Sequence, residues 1–238
     1  VTRGSVLVVE DVVETRELVA CALGRAGLGV RAVGTARECR AEVAAAPPDV
    51  VVLDLELPDA DGTELCRELR TRTHAYLLLL SAQADEVDVL VGLAAGADGY
   101  MAKPFSTREL TARVQTFLRR PATLPAGPAA GQVTVRVPAT RTTVGDLEVD
   151  EATREVRVRG ALVPLTRTEF DLLHALARRP GRVLPREVLL HEVWHSDWEG
   201  NLRLVEAHMS NLRRKLAVGG LGRPELRTVR GVGYRLVA

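Results

Sequence analysis

The sequence predicts an α/β domain followed by a smaller α+β domain, and three observations support this. In the first 120 residues, five short apolar runs alternate with five stretches of helical periodicity. Near-continuous apolar runs are typical of strands buried on both faces, and their alternation with helices predicts a doubly wound, five-stranded parallel sheet. The second half instead has strand-like pieces first, then three helices and a β-hairpin, and a stretch rich in Pro, Gly and Ala separates the halves.

The elements of the first half follow from this alternation. Strands are predicted at 5–10, 29–33, 49–54, 76–80 and 99–102. Helices are predicted at 13–26, 36–46, 62–71, 85–95 and 107–119. Ligands of doubly wound sheets bind at the carboxyl ends of the strands, so functional residues are expected there.

Residues 121–141, PATLPAGPAAGQVTVRVPATR, have the composition of a linker. They divide the chain into a domain at 1–120 and a domain at 142–238. Strand-like segments open the second domain: VGDLEVD, REVRVRG and ALVPL.

The helices of the second domain come next. TRTEFDLLHALARRPG has the capping-box pattern of Thr166 and Glu169, and PREVLLHEVW has Pro185 at its expected first helical position. RLVEAHMSNLRRKLA predicts a third helix, and ELRTVRGVGYRLV predicts two strands around a glycine-containing turn. Three helices closed by a hairpin predict a winged helix-turn-helix.

Composition and charge narrow the class of protein. At 238 residues, with 46% apolar and 26% charged residues, the chain suits two globular domains. No apolar run reaches the ~18–20 residues that span a bilayer, and the three cysteines lack CxxC spacing, so we expect a cytoplasmic protein without a membrane segment. The half at 1–120 has a net charge of −4 and the rest +5, which suggests a regulated module joined to a polyanion binder.

Polar side chains stand at four predicted strand ends. Glu10 and Asp11 end the first strand, Asp54 ends the third, Ser81 ends the fourth, and Lys103 follows the fifth. Crowded carboxylates repel one another, and a hard divalent cation with oxygen ligands offsets that repulsion. The set suits one task, which is to hold Mg²⁺ and a phosphoryl group while Asp54 attacks phosphorus. Taken singly, each residue has an ordinary explanation as a solvated loop residue or a helix cap.

Several motifs resemble a known family. VLVVED (6–11), VVVLDLELPDADG (50–62), LLSA (79–82) and GADGYMAKPFS (96–106) resemble the flavodoxin-like receiver domain of bacterial two-component response regulators. LTRTEFDLL, GRVLPREVLLHEVW, RLVEAHMSNLRRKL and TVRGVGYRL resemble the winged-helix effector domain of the OmpR/PhoB family.

The resemblance implies residue roles in the first half. A sensor histidine kinase would phosphorylate Asp54. Mg²⁺ (or Mn²⁺) would bind Asp11, Asp54 and the backbone carbonyl of Glu56, with Glu10 acting largely through water. Ser81 and Lys103 would contact the phosphoryl group, Tyr100 would be the aromatic switch, and the peptide bond before Pro104 would be cis.

The third helix of the second domain has two faces. One face is apolar and predicts core: Val205, Met209, Leu212 and Leu216. The other residues are candidates for reading the major groove: Arg203, Ala207, Ser210, Asn211, Arg213 and Arg214. A solvated face is the commoner explanation of such a pattern, but the hairpin favours DNA. Arg230 lies in its turn, suited to the minor groove, and flanking residues are candidate phosphate contacts: Arg227, Thr228 and Arg235.

The resemblance also implies a homodimer on phosphorylation. Receivers of this family pair through the fourth helix, fifth strand and fifth helix, where the candidates here are Val89, Leu90, Glu109 and Arg113. Val89 replaces a residue that is commonly basic. We therefore expect an interface that relies more on burial than on ion pairs.

Two motifs match signatures of other functions. DADGT (59–63) matches a signature of aspartyl-phosphate phosphatases, but Pro58 directly before it argues for a loop. HEVWH (191–195) matches the HExxH signature of zinc proteases, but the helix is expected to end near Trp194 and no third ligand is evident.

The sequence thus predicts a phosphorylation-controlled transcriptional regulator, with no enzymatic activity beyond its own phosphoryl transfer and dephosphorylation. Its expected partners are a sensor kinase, promoter DNA with direct repeats, and RNA polymerase. A constitutively dimeric regulator that ignores phosphorylation is the alternative within the same fold.

Overall fold

The structure, a computed structural model, describes residues 4–82, 91–119, 141–194, 202–220 and 226–237. The chain divides into two compact units. One comprises Val1–Arg120 and Trp194–Ala207, and the other comprises Pro121–Val193 and His208–Ala238.

The first 120 residues build a five-stranded parallel sheet, as predicted. Its strands are β1 (Ser5–Val9), β2 (Gly29–Val33), β3 (Val50–Asp54), β4 (Tyr76–Ser81) and β5 (Gly99–Ala102). Their spatial order is β2-β1-β3-β4-β5, the flavodoxin-like order, which confirms the predicted fold class. The helices are α1 (Val13–Arg25), α2 (Ala36–Ala45), α3 (Gly62–Arg72) and α5 (Thr107–Arg119). Residues 91–94 are helical and are called α4, and residues 85–90 of the predicted fourth helix lie outside the described residues.

The centre of this sheet is buried on both faces. Residues 6–9 of β1 and 50–53 of β3 are fully inaccessible to solvent, as the continuous apolar runs predict. The ring of Tyr76 stacks on that of Phe117 with centroids 4.8 Å apart, which packs α5 against the sheet.

A buried charge secures the start of β5. Asp98 is fully buried, and its Oδ2 accepts hydrogen bonds from the backbone N–H of Leu77 (2.9 Å) and from the Arg70 guanidinium. Arg70 also donates to the carbonyl oxygens of Gly96 and Ala75, each at 2.5 Å. Because the charge is paired and hydrogen-bonded, its burial is tolerated, and it joins α3, β4 and β5.

The DADGT motif (59–63) is a pair of helix caps. The carboxylate of Asp59 accepts hydrogen bonds from the backbone N–H groups of Ala36 (2.8 Å) and Arg37 (3.0 Å) at the start of α2, and these bonds lower the pKa of Asp59. Asp61 caps α3 by accepting from two N–H groups of its first turn, at 2.7 and 3.1 Å. Both carboxylates are therefore used at helix N-termini, where they offset unsatisfied donors.

The second half contains two antiparallel sheets. The strands β6 (Arg141–Val144), β7 (Leu147–Asp150), β8 (Glu155–Val158) and β9 (Ala161–Leu162) pair in sequence order. They are followed by α6 (Arg167–Ala177), β10 (Leu184–Pro185), α7 (Arg186–Trp194), α8 (Leu202–Val218), β11 (Leu226–Val229) and β12 (Gly233–Leu236). The second sheet has the order β10-β12-β11, and the element order confirms the predicted winged helix.

Two local predictions concern the starts of helices α6 and α7. The capping box of α6 is confirmed: Thr166 Oγ1 accepts from Glu169 N at 3.2 Å, and Glu169 Oε2 accepts from Thr166 N at 2.8 Å. α7 begins at Arg186, one residue later than predicted, because Pro185 pairs with Gly233 in β10.

The segment VGDLEVD is not a single strand. Val144 ends β6 and Leu147 begins β7, and Gly145 makes the turn between them with φ +57°. A positive φ suits glycine, which has no Cβ to clash. β6 begins at Arg141, the last residue of the predicted linker.

No helix within the described ranges has both the length and the apolar character needed to cross a bilayer. The three cysteines, Cys21, Cys39 and Cys66, are all free thiols.

The backbone of Asp54 and Leu55 lies close to Gly62. A Cβ on Gly62 would lie 2.5 Å from Leu55 Cα and 2.7 Å from Asp54 O, and backbone atoms cannot move away as a side-chain tip can. Gly62→Ala should therefore lower stability by about 1–3 kcal/mol despite the better helix propensity of alanine. The matched control is Gly24→Ala in α1, where a Cβ meets nothing within 4 Å and stability should rise by about 0.5–1 kcal/mol. Thermal unfolding of the full chain measures both, and a Gly62→Ala variant as stable as Gly24→Ala would contradict the packing described.

Candidate functional site

The carboxyl ends of the parallel strands bring the predicted acidic cluster together. Glu10 follows β1, Asp54 ends β3 and Lys103 follows β5. The Lys103 ammonium Nζ lies 2.7 Å from Asp54 Oδ2 and 2.8 Å from Glu10 Oε2, and it donates a hydrogen bond to Glu10 Oε1 at 3.1 Å. One cation therefore bridges two carboxylates that come from different strands.

Burial sets the electrostatics of this cluster. Glu10 is 0% exposed and Asp54 is 2% exposed, whereas the Lys103 side chain keeps 23% of its surface accessible. Burial raises the pKa of the Glu10 carboxyl, against the lowering effect of the hydrogen bond from Lys103. Burial alone would lower the pKa of the Lys103 ammonium, but hydrogen bonds to Asp54 and Glu10 outweigh it and raise that pKa. The ammonium thus stays charged at neutral pH.

The same cluster fits a divalent cation. One carboxylate oxygen from each of Glu10, Asp11 and Asp54 lies within 4.8 Å of the others. Glu10 Oε2 is buried and has no hydrogen-bond partner within the described part of the chain, because its contact with Lys103 has the distance but not the angle of a hydrogen bond. Asp11 is exposed and faces solvent. Three carboxylates against one ammonium leave negative charge that a hard cation with oxygen ligands would offset.

The loop after β3 places Glu56 beside the cluster. The backbone N–H of Glu56 donates to Asp54 Oδ1 at 3.3 Å, and Glu56 pairs with Asp61 in an isolated antiparallel bridge. Gly62 N donates to Leu55 O at 3.1 Å and closes the loop. The caps at Asp61 and the close approach at Gly62 therefore hold the backbone next to Asp54.

Arg16 belongs to this site and was not predicted from the sequence. Its Nη1 donates to the carbonyl oxygens of Glu10 (2.7 Å) and Asp11 (3.1 Å). A Cβ on Gly34 would lie 2.9 Å from this nitrogen, so the glycine leaves room for it. Arg16 fixes the backbone of the two acidic residues from the first turns of α1. A helical residue five or six positions after an acidic pair carries no distinctive sequence signal.

The remaining predicted residues of this half lie near the end of β5. Ser81 is 5% exposed, and its carbonyl oxygen accepts from Lys103 N at 2.7 Å. Tyr100 is half-buried in β5, and burial raises the pKa of its phenol. The Lys103–Pro104 peptide bond is cis. Ser81 and Lys103 thus reach the same edge of the sheet as Asp54.

The residues predicted for dimerisation are only partly described. Val89 and Leu90 lie outside the described residues. Glu109 and Arg113 pair with one another on α5, with Arg113 Nη2 2.5 Å from Glu109 Oε1. Val91, the first described residue of α4, is 41% exposed.

α8 presents the two faces that the sequence predicts, with one departure. The apolar face is buried: Val205, Met209, Leu212 and Leu216. Arg203, Ser210 and Arg214 are exposed, and Ala207 is half-buried. Asn211 is only 8% exposed, and its Oδ1 accepts from Arg214 Nη2 at 3.1 Å.

The hairpin exposes most of its predicted contact residues. Arg227, Thr228 and Arg230 are exposed, and Arg235 is half-buried on the neighbouring strand. Arg213 differs from the expectation for a free DNA-contacting side chain, because it donates from α8 to Thr228 Oγ1 (2.5 Å) and to the Leu226 carbonyl (3.1 Å).

The HEVWH motif does not form a metal site among the described residues. α7 ends at Trp194, and His195 lies outside the described residues. The acidic cluster at Glu10 is the one metal-competent grouping in the described ranges, and it contains no histidine.

Known proteins match both halves of the chain. Residues 6–115 match the family described as response regulator receiver domain, and residues 160–236 match transcriptional regulatory protein, C terminal. The chain is 40% identical over 233 residues to the transcriptional regulatory protein CseB of Streptomyces coelicolor, with 98% of this chain and 97% of CseB covered. It is 37% identical over 233 residues to the DNA-binding response regulator MtrA of Mycolicibacterium smegmatis, covering 98% and 96% of the two chains.

A solved structure also matches nearly the full chain. DrrB of Thermotoga maritima, described as an OmpR/PhoB homolog, is 30% identical with a TM-score of 0.50, covering 98% of this chain and 99% of DrrB. Both domains and the full-length relatives therefore agree: the chain belongs to the OmpR/PhoB family of DNA-binding response regulators.

Proposed function

We propose that phosphorylation of Asp54 controls the binding of this protein to promoter DNA. The observation that carries the proposal is the Lys103 ammonium, which lies 2.7 Å from the Asp54 carboxylate at the edge of the sheet where Glu10 and Ser81 also lie. A buried nucleophilic carboxylate with an adjacent cation and a hydroxyl is the arrangement that receives a phosphoryl group.

The chemistry proceeds by in-line displacement at phosphorus. A carboxylate oxygen of Asp54 forms a bond to the phosphorus, while the bond from phosphorus to the leaving histidine nitrogen of the kinase, or to the oxygen of an acyl phosphate, breaks. Oδ1 is the more weakly held oxygen, since it accepts a long hydrogen bond of 3.3 Å from Glu56 N, whereas Oδ2 lies 2.7 Å from the Lys103 ammonium. Lys103 already sits where it can pair with a phosphoryl oxygen, and Ser81 supplies a hydroxyl.

The residues fit a bound divalent cation, Mg²⁺ or Mn²⁺. Asp11, Asp54 and the carbonyl of Glu56 would hold it, with Glu10 beside it. The bound cation would offset the negative charge of the carboxylates and of the phosphoryl oxygens. Arg16 holds the backbone of the two acidic residues through their carbonyl oxygens.

We further propose that the phosphorylated receivers form a homodimer through α4, β5 and α5, with Tyr100 as the switch residue. The exposed Val91 supports an interface that relies on apolar burial, and the pairing of Glu109 with Arg113 leaves fewer charges for a partner. The dimer would bind direct repeats of promoter DNA and act with RNA polymerase in the cytoplasm, in response to a sensor histidine kinase.

The first test of this function is covalent labelling. The full chain incubated with Mg²⁺ and an acyl phosphate should gain the mass of one phosphoryl group, and Asp54→Asn should abolish the gain because the amide is not a nucleophile. Asp59→Asn is the matched control, since Asn also caps a helix and Asp59 lies outside the cluster. Intact mass spectrometry at acidic pH makes the measurement. Labelling that survives Asp54→Asn, or a wild-type chain that takes up no phosphate, would contradict the proposal and favour the phosphorylation-independent regulator.

The second test concerns the hairpin. Arg230→Ala should weaken binding to a duplex selected from random-sequence DNA by about tenfold, because an exposed cation at the turn is lost from the DNA contact. Arg157→Ala is the control, since Arg157 pairs with Glu155 in the four-stranded sheet. Fluorescence anisotropy at physiological salt compares the three proteins. An affinity unchanged by Arg230→Ala would remove the hairpin from the DNA interface.

A further inference from the structure

Arg213 connects α8 to both strands of the terminal hairpin. Its Nε donates to the carbonyl oxygen of Leu226 at 3.1 Å and its Nη2 donates to Thr228 Oγ1 at 2.5 Å, both on β11. The guanidinium carbon lies 5.5 Å from the ring centroid of Tyr234 on β12. A single side chain thus contacts the backbone of one strand, a side chain of the same strand and an aromatic face on the other.

The rest of the hairpin is held just as closely. The guanidinium of Arg186 lies 5.4 Å from the Tyr234 ring centroid, and its backbone N–H donates to Val232 O at 3.3 Å. Val232 N donates to Val229 O at 3.0 Å and closes the turn. The turn that carries Arg230 is therefore a short, bonded unit, and the contacts of Arg213 tie its strand β11 to α8.

The geometry of guanidinium explains why arginine suits this role. Its N–H donors form a planar, rigid fork, so bonds to Leu226 and Thr228 together fix the orientation of the group. The charged group then lies over the aromatic face of Tyr234. A lysine ammonium has no such fork and would hold β11 against α8 less firmly, while β12 stays paired with β10.

We propose that Arg213 is a positioning residue for the hairpin rather than a contact to DNA. It holds Arg230 in register with the exposed residues of α8, so that the two elements reach adjacent grooves of one duplex. Because Thr228 Oγ1 accepts from Arg213, the hydroxyl proton of Thr228 is directed away from Arg213 and is free to donate to a phosphate. This inference rests on the proposed function, since it assumes that the hairpin binds DNA.

A double-mutant cycle between Arg213 and Arg230 tests the proposal. The full chain, phosphorylated, is titrated with the selected duplex over a series of salt concentrations. Arg213→Ala alone should weaken binding about tenfold, but in the Arg230→Ala background it should add less than about threefold, because the contact it positions is already gone. The salt dependence of the double variant should match that of Arg230→Ala.

A direct phosphate contact by Arg213 predicts the opposite. The losses would then add, and the slope of log affinity against log salt would fall by about one further unit in the double variant. That result would overturn the positioning role. If Arg230→Ala binds like wild type, the hairpin is not at the DNA, and both the proposed interface and this inference fail. If Arg230→Ala weakens binding and the losses of the two variants add, this inference fails but the proposed function stands.

Arg213→Lys guards against a misfolded alanine variant. The lysine keeps the charge and removes the fork, so positioning predicts a loss close to that of Arg213→Ala, while a single cooperative thermal unfolding transition shows that the variant is folded. Affinity restored by lysine to the wild-type value would show that charge alone matters and would overturn the proposal.

Discussion

The contact between the Lys103 ammonium and the carboxylates of Glu10 and Asp54 is the interaction on which the receiver site depends. It joins residues 93 and 49 positions apart in the sequence, so it exists only when β1, β3 and β5 end at one edge of the sheet. Glu10 and Asp54 are buried, and an unpaired buried carboxylate is costly. The ammonium pairs with both, yet it is partly exposed and can also pair with an incoming phosphoryl oxygen. Structure and chemistry therefore depend on the same cation.

The choice of lysine here follows from the shape of the site. Lys103 and Lys215 are the two lysines among 32 basic residues, and each pairs with a buried glutamate, Lys215 Nζ lying 2.6 Å from Glu169 Oε2. A slim ammonium reaches these recessed carboxylates, two of them in the case of Lys103. Arg70 shows the contrasting case, because its guanidinium meets Asp98 and two carbonyl oxygens spread around it. A compact ammonium suits a recessed carboxylate, and a planar fork suits acceptors that are spread around it.

Periodicity predicted the parallel sheet, its order of elements and the residues at its carboxyl edge, because burial on both faces leaves a clear apolar signature and parallel strands end together. It also predicted the winged helix. It could not predict that Asp59 caps α2, since the capped helix precedes Asp59 in the sequence and the two meet only in the folded domain. The contacts of Arg16 and Arg213 were not predicted for the same reason. From the sequence alone, an arginine is expected to be a solvated cation, because its acceptors are known only in the folded domain. The hairpin of β6 and β7 was missed because Gly145 looked like part of a strand.

The most direct measurement is the phosphorylation-dependent dimerisation of Lys103→Arg. It is made by sedimentation velocity on the full chain in the presence of an acyl phosphate. The variant keeps the charge but replaces the slim ammonium with a planar group that needs more room in a buried site. Lys215→Arg is the matched control, because it makes the same change outside the acidic cluster. We predict that Lys215→Arg dimerises on phosphorylation like wild type and that Lys103→Arg, at equal phosphoryl content, does not. Normal phosphorylation-dependent dimerisation of Lys103→Arg would contradict the central role assigned to this lysine.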